Sequence, residues 1–181
     1  MFFRNFQKYF TGTIATSAIV FAGSTFAQDT PVYRGGQAEL PAVIDAENNI
    51  LYRDVILEDN GDGNLAITGG VEADLTEIED VEVNVSDDFP VIVTLTIAAV
   101  FPDACRNATV HQQRIEEEIF VLIANEEPPE GIACAQVLTE GVIVVTVNTT
   151  NLAAGEYTVW VNDQEAVSFT LDEDNIEPEV S

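Results

Sequence analysis

Short runs of β-branched and aromatic residues, separated by turn residues, follow one another from Val81 almost to the end of the chain. They recur about every ten residues and show no helical period. This pattern predicts an all-β domain, either a sandwich or a closed sheet, and argues against strand–helix–strand units. We predict seven strands and a short eighth one: Val81–Val85, Val91–Phe101, Thr109–Arg114, Ile119–Ala124, Ala135–Leu138, Gly141–Asn148, Tyr157–Asn162 and Val167–Leu171.

The positions of these runs give a domain layout. The β-domain is predicted over residues 79–172, and residues 173–181 form an acidic tail that frays because it has little apolar surface. Residues 28–78 form an acidic N-terminal extension, in which Val55–Leu57 and Leu65–Ile67 pair as a β-hairpin. Prolines and glycines near the start of the extension predict a linker: Pro31, Gly35, Gly36 and Pro41.

The first 27 residues have the features of a secretory signal peptide. Arg4 and Lys8 precede an apolar run from Ile14 to Ala22, and small residues ending at Ala27 offer a cleavage site. We expect an exported protein, periplasmic or extracellular, whose mature chain starts near Gln28. The residue directly after the cleavage point is Gln28 and the first cysteine is Cys105, so a lipid anchor is not expected. No second apolar run is long enough to span a bilayer, so no membrane anchor is expected after cleavage.

The mature chain is predicted to be extremely acidic. Four arginines and no lysine remain against 32 acidic residues, which makes it two charges more negative than the −26 of the full chain. Nucleic acids and anionic membranes are therefore not expected as partners, because binding phosphate requires clustered Lys and Arg. The charge fits either adaptation to a saline habitat or simple solubility of an exported protein.

Five short segments occur in a fixed order: Phe101-Pro102-Asp103-Ala104-Cys105, Phe120-Val121, Ala133-Cys134-Ala135-Gln136, Leu152 to Val159, and Phe169-Thr170-Leu171. In this order they resemble an uncharacterised family of exported bacterial domains with an immunoglobulin-like or fibronectin-III-like fold. The resemblance covers roughly Val81–Leu171. It implies an immunoglobulin-like antiparallel β-sandwich of seven or eight strands, preceded by the N-terminal extension. It implies no catalytic residues, substrate or cofactor.

Within these segments, Leu152, Gly155 and Tyr157 look like the tyrosine corner of Greek-key sandwiches. In that motif a tyrosine hydroxyl bonds a nearby backbone group across a strand connection. The implied role is structural. The spacing of the two cysteines, and a tryptophan that follows both of them, differ from the pattern of antibody domains.

Cys105 and Cys134 are predicted to form a disulfide, because an exported chain matures in an oxidising compartment and has no other cysteine. Two alternatives use the same residues. Thiol redox catalysis normally uses a C-x-x-C pair near a helix start, and neither feature is present. A zinc site would need His111, both cysteines and a carboxylate, at the expense of the disulfide.

An acidic turn offers a candidate calcium site. Glu58, Asn60 and Asp62 have the spacing of the first three ligands of a calcium loop, and Gly63 stands at its turn position. The twelfth position is Gly69 instead of a bidentate glutamate. An ordinary acidic hairpin turn explains the same residues. We therefore expect no cofactor, with calcium as the alternative.

The residues favour a protein without a chemical step of its own. His111 is the only histidine and lies in a predicted strand, and no serine lies in a G-x-S-x-G motif. We expect a non-enzymatic binding, interaction or cell-envelope structural module, with a protein or a glycan as partner. A calcium-dependent adhesion or matrix protein is one alternative. A small carbohydrate-active enzyme, supported only by the abundant carboxylates, is another.

Overall fold

The structure is a computed structural model that describes residues 31–61, 64–128, 131–164 and 166–176. The predicted signal peptide lies outside these ranges. All regular secondary structure within them is β-strand, which confirms the all-β fold. In the same ranges no helix has the length and hydropathy that crossing a membrane requires. The chain folds as two compact units that divide between Ala73 and Asp74.

The first unit contains a four-stranded antiparallel sheet. Its strands are β1 (Val32–Arg34), β2 (Gln37–Asp45), β3 (Ile50–Asp59) and β4 (Leu65–Glu72). They follow one another in space in the order β1-β2-β3-β4. The predicted hairpin is confirmed, because Leu57 pairs with Ile67 in the β3–β4 ladder.

The predicted linker at the start of this unit is wrong. Gly35 and Gly36, with φ angles of 60° and 90°, form the two-residue turn between β1 and β2. Glycine adopts this left-handed backbone without steric cost, so a Gly-Gly pair suits a tight hairpin. Pro41 lies inside β2 at a position without a ladder partner in β3. Its missing N–H is therefore tolerated within a strand.

The ionisation of Tyr52, in β3, is perturbed. Burial raises the pKa of its hydroxyl above the ordinary value of 10.0, and the negative charges of Asp45 and Glu72 raise it further. Both effects disfavour the tyrosinate anion. The folded protein therefore holds this proton more tightly than the unfolded chain does.

The second unit is a β-sandwich of two sheets. Its strands are β5 (Glu77–Val85), β6 (Val93–Phe101), β7 (Ala108–Ile115), β8 (Glu118–Asn125), β9 (Thr139–Val147), β10 (Gly155–Val161) and β11 (Val167–Leu171). One sheet has the order β11-β10-β8-β7 and the other has the order β5-β6-β9. Each of the seven main strands predicted from the sequence is present.

One pairing in the sandwich departs from the antiparallel expectation. Strands β8 and β10 are parallel, with Ile119 opposite Val159 and Val121 opposite Val161. A tight turn cannot join parallel neighbours, which need a longer crossover. Here the chain leaves β8, forms β9 in the opposite sheet and returns as β10. The sheet with the order β11-β10-β8-β7 is therefore mixed.

Alternating side chains of the two sheets fill the core of the sandwich. Every second residue of β6 from Val93 to Phe101 is buried. From the other sheet, the alternate residues Tyr157, Val159 and Val161 of β10 enter the same cluster. Full burial of a valine or leucine side chain contributes about 1.5–3 kcal/mol. The interior is thus filled by the sandwich's own strands.

Two strand predictions need correction. Residues Ala135–Leu138 do not form a strand; instead the carbonyl of Ala135 accepts a hydrogen bond from Ala104 N at 3.0 Å. Strand β6 begins at Val93, two residues later than predicted. Glu116 and Glu117 form the turn between β7 and β8, because Ile115 pairs with Glu118 across this hairpin.

The side chain of Asn175 explains the later start of β6. Its Oδ1 accepts a hydrogen bond from Val91 N at 2.8 Å, and its Nδ2 donates to Val91 O at 2.9 Å and to Thr149 O at 3.1 Å. The Asn175 amide thus bonds both backbone groups of Val91, as a neighbouring strand would. The predicted loose tail is wrong for residues 173–176, whereas residues 177–181 lie outside the described residues.

Candidate functional site

Cys105 and Cys134 form the predicted disulfide, with their Cα atoms 5.7 Å apart. The bond joins the segment after β6 to the segment before β9. Buried Asp103 lies in the same turn, and its Oδ1 accepts a hydrogen bond from Cys105 N at 2.8 Å. With their sulfurs bonded to each other, the two cysteines serve as a structural crosslink.

The same turn contains the one group of metal-ligating side chains that the described residues bring within mutual reach: Asp103, Cys105 and Cys134. Two of its three ligand atoms are the disulfide sulfurs. A disulfide sulfur is not the thiolate that binds a transition metal. This group is therefore part of the crosslink.

The candidate calcium loop follows β3. Glu58 lies within that strand and its carboxylate accepts a hydrogen bond from Gln37 Nε2. Asn60 comes after the strand end, and its N–H bonds Asn64 O at 3.0 Å. Asp62 lies outside the described residues. Calcium binding at this turn thus stays a prediction.

The segment predicted to be a tyrosine corner has the geometry of one. The Tyr157 hydroxyl donates a hydrogen bond to Ala153 O at 3.0 Å, and its buried ring stacks on Phe169 with centroids 5.4 Å apart. Leu152 is buried and forms a β-bridge with Asn175. These contacts hold the connection between β9 and β10, so the cluster is structural.

The candidate functional surface lies elsewhere, along the outer side of β9. Leu138, Val142 and Val144 expose 73, 68 and 66% of their surface. They occupy alternate positions, as residues on one face of a strand do, and Glu140 lies among them. Nearby Val137 and Ile132 are also exposed. We call residues 138–144, with their outward backbone groups, the β9 edge surface.

The backbone of this surface is an open sheet edge. Strand β9 is the last strand of its sheet, so every second residue directs its N–H and C=O groups away from β6. At one end the side chain of Gln112 occupies that edge: its Nε2 donates to Thr146 O at 2.9 Å and its Oε1 accepts from Asn148 N at 3.1 Å. By the same alternation, Glu140, Val142 and Val144 direct their backbone groups to this side, where none of the residues that the structure describes bonds them.

A cavity of about 350 Å³ lies beside this edge. It is lined by Phe101, Arg106, Ala108 and residues 141–144 of β9. Gly141 makes room for the aromatic ring of Phe101, because a Cβ at Gly141 would lie 2.8 Å from Phe101 Cε2. A side chain longer than hydrogen at this position would force the ring to move. The cavity is thus a recess beside the strand edge, and Arg106 is the one charged residue in its lining.

The two edges of the three-stranded sheet differ in chemistry. Strand β5 has four acidic residues among its nine and a register shift between Ile78 and Asp80. Charged side chains and bulges are the usual means of preventing an edge from pairing with another strand. Strand β9 has one acidic residue, Glu140, and an unshifted register with β6. The β9 edge is therefore the one open to a partner strand.

Sequence reasoning predicted a strand at Gly141–Asn148 and missed its exposed face. The signal that could have found it is the distribution of charge. Between Gly131 and Gly155 the only charged residue is Glu140, in a chain of which 21% is charged. Both faces of β9 are rich in valine, whereas a half-buried strand normally alternates apolar and polar residues.

Comparison with known proteins supports the fold. A family model described as the ORF11 beta-sandwich domain matches residues 95–171, from within β6 to the end of β11. The chain is similar to this family over that range. The prediction of a β-sandwich domain is thereby confirmed. Neither the comparison with curated proteins nor the comparison with solved structures found a match.

Proposed function

We propose that this protein is an exported, non-enzymatic interaction or cell-envelope structural module that acts through the β9 edge surface. One observation carries the proposal: a valine-rich strand edge with Glu140 as its one charged residue stays exposed on an otherwise strongly acidic protein. A bare edge of this kind is a liability that proteins normally protect. Its presence is explained if the edge pairs with a partner.

The chemistry of the edge favours a polypeptide partner over a glycan. The outward N–H and C=O groups of Glu140, Val142 and Val144, to which no other described residue is hydrogen-bonded, match the backbone of an added β-strand, a recurrent mode of peptide recognition. Val142 and Val144 offer apolar contacts to alternate side chains of such a strand. Hydroxyl-rich sugars would gain little from two exposed valines.

Export to the periplasm or the medium is the second part of the proposal. Its support is the signal-peptide pattern that ends at Ala27, together with a disulfide of the kind that forms in oxidising compartments. Mass spectrometry of the exported protein is expected to show a chain starting at Gln28 without an acyl group. Retention of residues 1–27, or an added acyl mass, would refute this part.

The absence of a chemical step is the third part, and a turnover screen tests it. Catalysis by a nucleophile or a general acid and base needs a poised group with a positioned partner, and the composition offers one histidine and no lysine in the mature chain. Purified protein is expected to leave polysaccharide, peptide and ester substrates unchanged. Turnover that is abolished by one carboxylate-to-amide substitution would overturn the proposal.

A further inference from the structure

We infer that the partner at the β9 edge surface is a second copy of this chain, joined by antiparallel pairing of β9 with β9 about a two-fold axis at Val142. The inference rests on the proposed function and names its partner. Antiparallel self-pairing of one strand is the arrangement that closed two-fold symmetry permits, because both subunits then present the same surface.

The Gln112 cap fixes the register. It occupies the edge at Thr146 and Asn148 and leaves Glu140, Val142 and Val144 open. A two-fold axis at Val142 pairs that residue with the partner's Val142 and pairs Glu140 with the partner's Val144. Each of these opposed pairs exchanges two backbone hydrogen bonds. Shifting the axis towards Thr146 would bring the cap of one copy against the strand of the other.

Charge also favours a second copy over a foreign partner. A basic protein would seek the acidic surfaces of this chain, but the β9 edge surface presents Glu140 alone. In the proposed register Glu140 lies opposite valine, so like charges are not directly opposed. The edge is therefore complementary to a largely apolar strand such as itself, whose single carboxylate meets a valine in this register.

The recess beside the strand fits this pairing as well. Gly141 lies at the cavity, and the register places the partner's Ile143 opposite it. Ile143 points to the inner side of its sheet, since it packs against the core cluster. When β9 pairs with β9, the two sheets become one continuous sheet, and the core-facing side is the same in both chains. Each Ile143 is therefore directed towards the recess of the other chain.

Long-range repulsion opposes the association. Two copies, each with a formal charge of −26 or beyond, repel strongly at low ionic strength. At ~1 M salt the Debye length falls to about 3 Å, and only charges in contact continue to interact. We therefore expect mature protein to shift from monomer to dimer as NaCl increases, as measured by sedimentation equilibrium.

Cysteine crosslinking tests the register with a matched pair of variants. In Val142→Cys the two new thiols face each other at the axis, where paired Cα atoms lie about 5.5 Å apart, within the range for a disulfide. In Val144→Cys they are offset by four residues, about 13 Å along the strand. The two sites are almost equally exposed, so random collisions would crosslink them equally.

Upon mild oxidation in high salt, we expect Val142→Cys to give crosslinked dimer at least several-fold faster than Val144→Cys. Urea unfolding of both variants confirms that each is folded. Equal crosslinking, or a wild-type protein that remains monomeric at every salt concentration, would overturn the inference and leave the proposed function standing. Turnover in the substrate screen would overturn the proposed function whatever the oligomeric state.

Discussion

Replacing Asn175 with alanine is expected to destabilise the sandwich strongly, although the residue lies near the end of the chain. Its side chain is 3% exposed. The amide links the segment before β6 to the segment after β9, two connections that are distant in sequence. Alanine leaves the N–H of Val91 and the carbonyl of Thr149 without these partners.

The size of this loss of stability follows from the three hydrogen bonds that the Asn175 side chain makes to backbone groups, at 2.8, 2.9 and 3.1 Å. A typical intramolecular hydrogen bond contributes about 0.5–1.5 kcal/mol net, and leaving a buried partner unsatisfied adds to the loss. Asn175→Ala should therefore lower the free energy of unfolding by about 3 kcal/mol. Most single substitutions cost less than that.

Asn175→Asp provides a more specific test, because it keeps the shape and removes the donor. The carboxylate can accept from Val91 N but faces the carbonyl oxygens of Val91 and Thr149. Burial and these oxygens raise the pKa of the new carboxyl in the folded state. A group with a raised pKa stabilises the fold below its unfolded pKa, and that contribution is lost as pH rises through the folded value. The variant should recover stability in acid.

Urea unfolding at fixed high salt, followed by the fluorescence of the single tryptophan, Trp160, measures these differences. Asn84→Ala is the control, since Asn84 is an exposed asparagine in β5, and its substitution should stay within about 0.5 kcal/mol of wild type. If Asn175→Ala behaves like this control, the asparagine network does not stabilise the sandwich.

Three further predictions follow from the structure. Replacing Cys105 and Cys134 with alanine should cost about 3.5 kcal/mol, because the disulfide closes a loop with a sequence separation of 29; a loss below about 1 kcal/mol in urea unfolding would contradict this. The melting temperature should rise with NaCl, since four arginines cannot neutralise 32 acidic residues; a flat or falling trend would show that repulsion among the carboxylates does not destabilise the fold. The raised pKa of Tyr52, caused mainly by burial, gives stability that is fully present below pH 10.0 and is lost above it as the folded form titrates, so wild type should lose more stability than Tyr52→Phe in alkaline urea unfolding; equal losses would be inconsistent with the shift.

The strands of the sandwich could be predicted from the sequence because burial imposes a period of two on each of them. In β10 the buried positions Tyr157, Val159 and Val161 alternate with partly exposed ones, as a strand with one buried face requires. Alternation does not specify which strand is the neighbour or in which direction it runs. The parallel pairing of β8 with β10 therefore had no signal in the pattern.

The sequence also does not show where a side chain takes the place of a neighbouring strand. Asn175 serves as a neighbour to Val91, and Gln112 serves as a neighbour to the end of β9. In a sequence, an asparagine in an acidic tail predicts a solvated residue, and a glutamine in a strand predicts an exposed one. Both roles depend on which backbone groups the fold leaves unpaired nearby, and that is a property of the tertiary structure.

Salt is expected to stabilise the fold and to promote association, and protein concentration separates the two effects. Unfolding of a monomer does not depend on concentration, whereas a partner that binds only the folded chain raises its stability by mass action. In high salt the unfolding midpoint of wild type should therefore rise with protein concentration. Val142→Glu sets two carboxylates opposite each other at the proposed axis, where like charges destabilise a strand pair. This variant should keep the dependence on salt and lose the dependence on concentration. Val85→Glu adds the same charge at an exposed site on β5 and should retain both. A concentration dependence that persists in Val142→Glu would place the contact between copies somewhere other than the β9 edge surface.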